Sequence, residues 1–152
     1  MRSTIFLCFL FQSLLSIAQN SPISFETGEF GLTWNWTVFE NIGNPPLEIV
    51  SNPDVTGLNS SPTVAKFTAL QGGMPYAGVE CAHGEVGTFT LTPANCIVKI
   101  MVNKPVISNV GIKFATGSGA STGELLVANT QINKWEELTF DFTPILGLPT
   151  SS

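Results

Sequence analysis

The sequence predicts an all-β fold, a two-sheet antiparallel β-sandwich. Three observations carry that expectation. Only 11% of the residues are charged, against 43% hydrophobic, where soluble chains average about 25% charged. The Lys and Glu that would coat the wet faces of long helices are therefore missing. Short apolar runs repeat with period two, the period of a strand and not of a helix. Gly and Pro number 14 and 10 in 152 residues, and many of them fall between those runs, where turns need them.

The first element is not part of the sandwich. A positive start at Met1-Arg2 leads into the apolar run 5–17, interrupted only by Gln12, Ser13 and Ser16. Ser16-Ile17-Ala18 is a small-x-small cleavage signal. Residues 1–18 are read as a secretory signal peptide and residues 19–152 as one domain, secreted or at the cell surface. The apolar run is too short for a membrane span, so no membrane insertion is expected. Cleavage removes Cys8 and leaves Cys81 and Cys96 in an oxidising compartment. A bridge between them and two buried free thiols both fit.

The clearest alternations are Phe89 and Leu91 among threonines 88, 90 and 92; Cys96, Val98, Ile100 and Val102 opposite Lys99; Val110, Ile112 and Phe114 opposite Lys113; and Leu138, Phe140 and Phe142 among Glu137, Thr139 and Asp141. Ala77, Val79 and Cys81 oppose Tyr76 and Glu80. Weaker strand patterns cover 23–26, 32–39, 47–50, 63–70 and 124–128. Turn signals separate them: Asn44-Pro45-Pro46, Asn52-Pro53-Asp54, Gln71-Gly72-Gly73, His83-Gly84 and Gly117-Ser118-Gly119. About ten short strands at this spacing make a sandwich. Its expected core is Phe67, Val79, Phe89, Leu91, Val98, Ile100, Ile112, Phe114, Leu138, Phe140 and Phe142.

Charge excludes one class of partner. The net charge is −5 with a pI near 4.6, and no basic patch exists to hold a phosphate backbone, so no nucleic acid is expected. Catalytic signals fail on context. Gly119-Ala120-Ser121-Thr122-Gly123 spells G-x-S-x-G, but a strand follows it, and the single His, His83, comes earlier in the chain. Cys81 lies two residues from His83, yet its inward parity marks it as structural. No pair of carboxylates faces a common point as glycosidase chemistry needs. The chain is read as a non-enzyme.

Aromatic placement suggests a ligand. Flat rings cover the CH faces of sugars, and acidic or amide side chains bond the hydroxyls. Trp34 and Trp36 share one face of their segment, where they either meet a sugar or fill the core. Tyr76, after Pro75, has outward parity with Glu80. Trp135 is expected to plug the core.

Five segments resemble the jelly-roll carbohydrate-binding modules of secreted bacterial proteins, often attached to glycoside hydrolases. They are Phe25-Glu26-Thr27-Gly28, Trp36-Thr37-Val38-Phe39-Glu40-Asn41, Asn52-Pro53-Asp54-Val55-Thr56-Gly57-Leu58-Asn59, Ile97-Val98-Lys99-Ile100-Met101-Val102 and Trp135-Glu136-Glu137-Leu138-Thr139-Phe140-Asp141-Phe142. The resemblance, together with the outward parity of Tyr76 and the Trp34/Trp36 stripe, predicts binding of a polysaccharide, β-glucan-like, without cleavage, with Trp36, Tyr76, Trp34 and Glu80 as sugar contacts. It implies a catalytic domain elsewhere in a longer parent protein. It also implies a structural calcium ion with Glu26 as one ligand. A second acidic ligand would come from a last strand, which has no counterpart after Phe142. The tail 144–152, with two prolines and no alternation, is expected not to supply it, so the domain is read as a sandwich lacking its last strand. The alternative function is a structural or adhesion sandwich with no sugar site.

Overall fold

A computed structural model describes residues 20–147 and 149–150. The signal peptide expected over residues 1–18 lies outside the described residues. The fold is all-β and antiparallel. Its strands are β1 (Trp36–Phe39), β2 (Glu48–Ser51), β3 (Thr63–Lys66), β4 (Gly78–Cys81), β5 (Phe89–Thr90), β6 (Ile97–Asn103), β7 (Asn109–Ile112), β8 (Leu125–Ala128), β9 (Trp135–Asp141) and β10 (Pro149–Thr150). One 3₁₀ turn, Thr143–Ile145, interrupts them.

The pairings are nested. β1 pairs with β4 around the β2–β3 hairpin; β5 pairs with β10, β6 with β9, and β7 with β8 inside them. The sandwich is thus assembled from five two-stranded pieces, not from two continuous sheets. Short strands punctuated by Gly and Pro limit how far each ladder runs. The longest is β6–β9, from Ile97↔Asp141 to Asn103↔Trp135.

The core sits between β6–β9 and β7–β8. Register places Val98, Ile100, Leu138 and Phe140 on one face of the first pair. Val110, Ile112, Leu125 and Val127 share one face of the second. Leu91, Cys96, Leu138, Phe140 and Phe142 are buried between them. Phe114 meets Phe142 and Phe89 with ring centroids 5.2 Å apart in both cases, the Phe89 contact being edge-on. On the outer face of β6–β9, Lys99 and Glu137 form a 2.7 Å ion pair, worth little where water reaches it.

Of the eleven expected core residues, Leu91, Leu138, Phe140 and Phe142 are buried. Phe67, Val79, Phe89, Val98, Ile112 and Phe114 are half-buried and not sealed. Ile100 has the inward parity, yet 37% of its surface stays exposed, because nothing covers that stretch of the β6–β9 face as fully as it covers Phe140. Val38 and Val64 are buried without having been anticipated. The strand expected over 23–26 does not form. Ile23 makes one parallel bridge to Phe30, and Phe25 adopts a φ of +63°, a left-handed conformation that ends an extended run. The strand expected from residue 32 starts only at Trp36, because Gly31 at φ +98° opens a turn closed by the Trp34 N–H on its carbonyl.

The tail also departs from expectation. Pro149–Thr150 lies antiparallel on Phe89–Thr90. A proline is tolerated at the first position of a short strand, where its missing N–H costs least. The 3₁₀ turn redirects the chain after β9, and the Gly147 N–H bonds the Leu91 carbonyl at 2.9 Å to hold the return.

Candidate functional site

The β1–β4 pair sorts the sugar-contact candidates onto two faces. Trp36↔Cys81 and Val38↔Val79 share one face; Thr37↔Glu80 and Phe39↔Gly78 share the other. Tyr76 precedes β4 in a turn closed by the Ala77 N–H on the Met74 carbonyl at 2.9 Å. Pro75, second in that turn, presets its φ and leaves Tyr76 54% exposed. Phe39 lies over its partner Gly78: a Cβ there would sit 2.8 Å from the ring's Cζ. The missing side chain is what lets the ring cover the strand.

Phe39 and Tyr76 form one wall of a cleft of about 260 Å³ completed by Lys113 and Glu124. The last two come from the hairpin arms after β7 and before β8. Glu124 reaches across Gly111, where any Cβ would collide with its carboxylate. The ion pairs among the described residues are Lys66–Glu48 and Lys99–Glu137. Lys113 and Glu124 are therefore tied neither to each other nor to a third charge. Two rings beside an unpaired donor and an unpaired acceptor can cover an apolar ligand face and bond its hydroxyls.

A second, more open cleft of about 330 Å³ is lined by residues including Glu40, Asn41 and Met74. The Met74 N–H bonds the Glu40 carbonyl at 2.8 Å. Asn41 is buried, donating to the Thr68 carbonyl and accepting from the Leu70 N–H. It fixes the loop that leads to Tyr76 and has little left for a ligand.

Trp34 and Trp36 lie apart from Tyr76, on the Val38 side. Their rings stack at 5.8 Å, Phe25 meets Trp36 at 5.6 Å, and Phe30 meets Trp34 at 6.3 Å. The Trp36 indole donates to the Gly31 carbonyl at 2.8 Å. Both tryptophans are half-buried. The four rings form a small satellite core that holds the N-terminal turn against β1. Glu80 is exposed on the Phe39 face but does not line the cleft. Trp135 is half-buried, as a plug with one polar edge: its indole donates to Asn52 Oδ1.

Glu26 works on the chain itself. Its carboxylate accepts the Thr63 N–H at 2.8 Å, while the Thr63 hydroxyl donates to the Phe25 carbonyl at 3.0 Å. Among the described residues no group of three or more His, Cys, Asp or Glu side chains stands ready for a metal ion. Calcium takes roughly six to eight oxygens, and one carboxylate already committed to β3 is a poor match for that demand.

Cys81 and Cys96 are free thiols. Cys96 is buried in the main core, and Cys81 is half-buried across from Trp36. Burial pushes the Cys81 thiol up, with the charges of Glu85 and Glu80 adding to it, so the thiolate a nucleophile needs is disfavoured. Ser121 bridges Ala115 in the β7–β8 hairpin, and the Thr122 N–H returns to the Phe114 carbonyl. That is strand–turn–strand, not the strand–turn–helix of a nucleophile elbow.

The sequence pattern had pointed to Tyr76 and Glu80 but missed Phe39, Lys113 and Glu124. Their outward parity was legible: Phe39 alternates with Val38, and Lys113 with Ile112. Nothing local shows that the two arms meet across a cleft. Comparison with protein-family models, with curated proteins and with solved structures finds no match.

Proposed function

We propose that this protein is a non-catalytic polysaccharide-binding module that takes a neutral, β-glucan-like chain. The observation that supports this best is Tyr76, held half-exposed beside Phe39 in a cleft whose Lys113 and Glu124 are uncommitted. The rings stack on a sugar's CH face. Lys113 donates to hydroxyl oxygens and Glu124 accepts from hydroxyl hydrogens. Glu80, on the same face, extends the polar rim. Trp34 and Trp36 support the fold beneath this face. The module acts outside the cell, alongside a catalytic domain of a longer protein.

Affinity electrophoresis in gels containing soluble β-glucan tests the reading. The parent should be retarded, and Tyr76→Ala should lose about tenfold in affinity, the equivalent of about 1.4 kcal/mol, with an unchanged melting temperature. Equal migration with and without glucan would favour the structural or adhesion alternative. Release of reducing ends by the pure protein would show an enzyme instead.

A further inference from the structure

The face of β7–β8 that turns away from the core continues past the Tyr76 cleft. Register fixes its members. Val110, Ile112, Leu125 and Val127 pack against the core, so the pairs Gly111↔Leu126 and Asn109↔Ala128 look outward. All four are exposed, Leu126 at 57%. Lys113 and Glu124, which complete the cleft, are exposed too and continue the same alternation.

Glu124 links the two regions. Its carboxylate lies over Gly111, in the space a Cβ would take. Leu126 stands directly opposite Gly111, and the Cβ positions of such a pair are about 5 Å apart. The carboxylate therefore reaches from the cleft to the foot of Leu126. Leu126 itself follows Glu124 by two residues, roughly 7 Å of extended chain. The order along the face is two rings, two charges, one aliphatic side chain, then the Asn109 amide. Among the described residues no hydrogen bond engages the side chains of Lys113, Glu124 or Asn109.

A narrow strip that alternates apolar cover with uncommitted hydrogen-bonding groups matches a sugar chain, whose CH faces and hydroxyls recur with every unit. Continuity with the cleft selects the occupant: a glycan that lies on Tyr76 and Phe39 and leaves past Glu124 meets Leu126 next. We propose that Leu126 floors a second sugar subsite. The protein then holds an internal stretch of glycan, at least two successive units, and Glu124 bonds hydroxyls of both across the bare backbone of Gly111. The inference rests on the glycan-binding reading above and states how that ligand is held.

Leu126→Ser and Leu126→Phe, made in the full chain, test the subsite in gels containing soluble β-glucan. The serine variant should weaken retardation about fivefold. The phenylalanine variant, which widens the apolar cover, should keep or strengthen it. Both should melt with the parent, since the side chain stands mostly in water. Isothermal titration of the parent with the mono-, di-, tri- and tetrasaccharide of the same glucan needs no variant: affinity should rise at least tenfold from the single unit to the trisaccharide. Retardation that Tyr76→Ala weakens and neither Leu126 variant changes overturns the second subsite and leaves the glycan reading standing. Affinity that stops rising at one unit does the same. A parent that the glucan does not retard overturns both. A parent dimer that Leu126→Ser dissociates, with retardation unaltered, assigns the face to a second copy and also overturns the subsite. Should the serine variant unfold, Leu126→Phe and the titration series decide.

Discussion

Trp135 and Asn52 meet through one hydrogen bond of 2.9 Å, indole N–H to amide Oδ1, across 83 residues of chain. Asn52 also donates to the Asn59 and Ser61 carbonyls and accepts the Asp54 N–H. One side chain thus closes the β2–β3 loop and pins it to the first residue of β9. Asn52→Ala leaves the Trp135 indole, the Asp54 N–H and two carbonyls without their partner. It should cost about 1–3 kcal/mol, read as a lower denaturant midpoint at constant slope. Trp135→Phe leaves the amide's other bonds intact and should cost less. Equal losses would mean that the indole's packing, not its hydrogen bond, holds the loop.

Burial separates residues of the same parity. Phe140 is 0% exposed and Ile100 is 37% exposed on the same face of β6–β9. Phe140→Ala should cost about 3–5 kcal/mol, and Ile100→Ala should fall below the usual ~2–5 kcal/mol of a sealed aliphatic position. Chemical denaturation of the two variants, side by side, measures the difference.

The two tryptophans and the tyrosine should part company on mutation. Trp36→Ala removes the centre of the Phe25, Trp36 and Trp34 stack, and with it the indole bond to Gly31. We expect a clear drop in melting temperature. Tyr76→Ala should leave stability alone and weaken retardation by glucan. A Trp36→Ala protein that melts like the parent but no longer binds would put the sugar on the tryptophan side.

Gly111→Ala probes the cleft from below. The added methyl takes the space over which the Glu124 carboxylate lies, so the flexible glutamate must swing away. Stability should change little, while glucan affinity falls to the level of Glu124→Gln. Isothermal titration of both variants checks this; a Gly111→Ala protein with parental affinity removes Glu124 from the binding surface.

Acid should loosen the fold by a defined route. Glu136 accepts the Thr130 N–H, the Thr130 hydroxyl and the Gln131 N–H, and these bonds, the Thr130 N–H foremost, hold its carboxyl below the usual range. The Thr143 hydroxyl, then its N–H, does the same for Asp141. A carboxylate with a depressed folded pKa contributes its full stabilisation above its unfolded pKa of about 4, and loses it as pH falls through the folded value. Melting temperature should therefore drop as pH falls below about 4. Glu136→Gln should melt lower than the parent at neutral pH and converge with it in strong acid. Parallel curves for the two proteins at all pH values would exclude Glu136 from the transition.

The chain's own pattern determined the fold class and the main core. Period two places Leu91, Leu138, Phe140 and Phe142 inward with no help from distant residues, because strand geometry alone alternates side chains. The same rule told Tyr76 and Glu80 to face outward. Tertiary structure decided the rest. Parity says which way a side chain leans but not what lies opposite, so the exposure of Ile100 and the burial of Val64 depended on which strand pairs stack. Phe25 left the extended region for φ +63°, which ended a strand that its alternation favoured. The tail gained a strand at Pro149–Thr150 because β5 offered it an edge. The cleft joins Phe39 and Tyr76 of one strand pair to Lys113 and Glu124 of another. A site assembled from segments so far apart in sequence leaves no local signal, since only the packing of the two strand pairs brings its walls together.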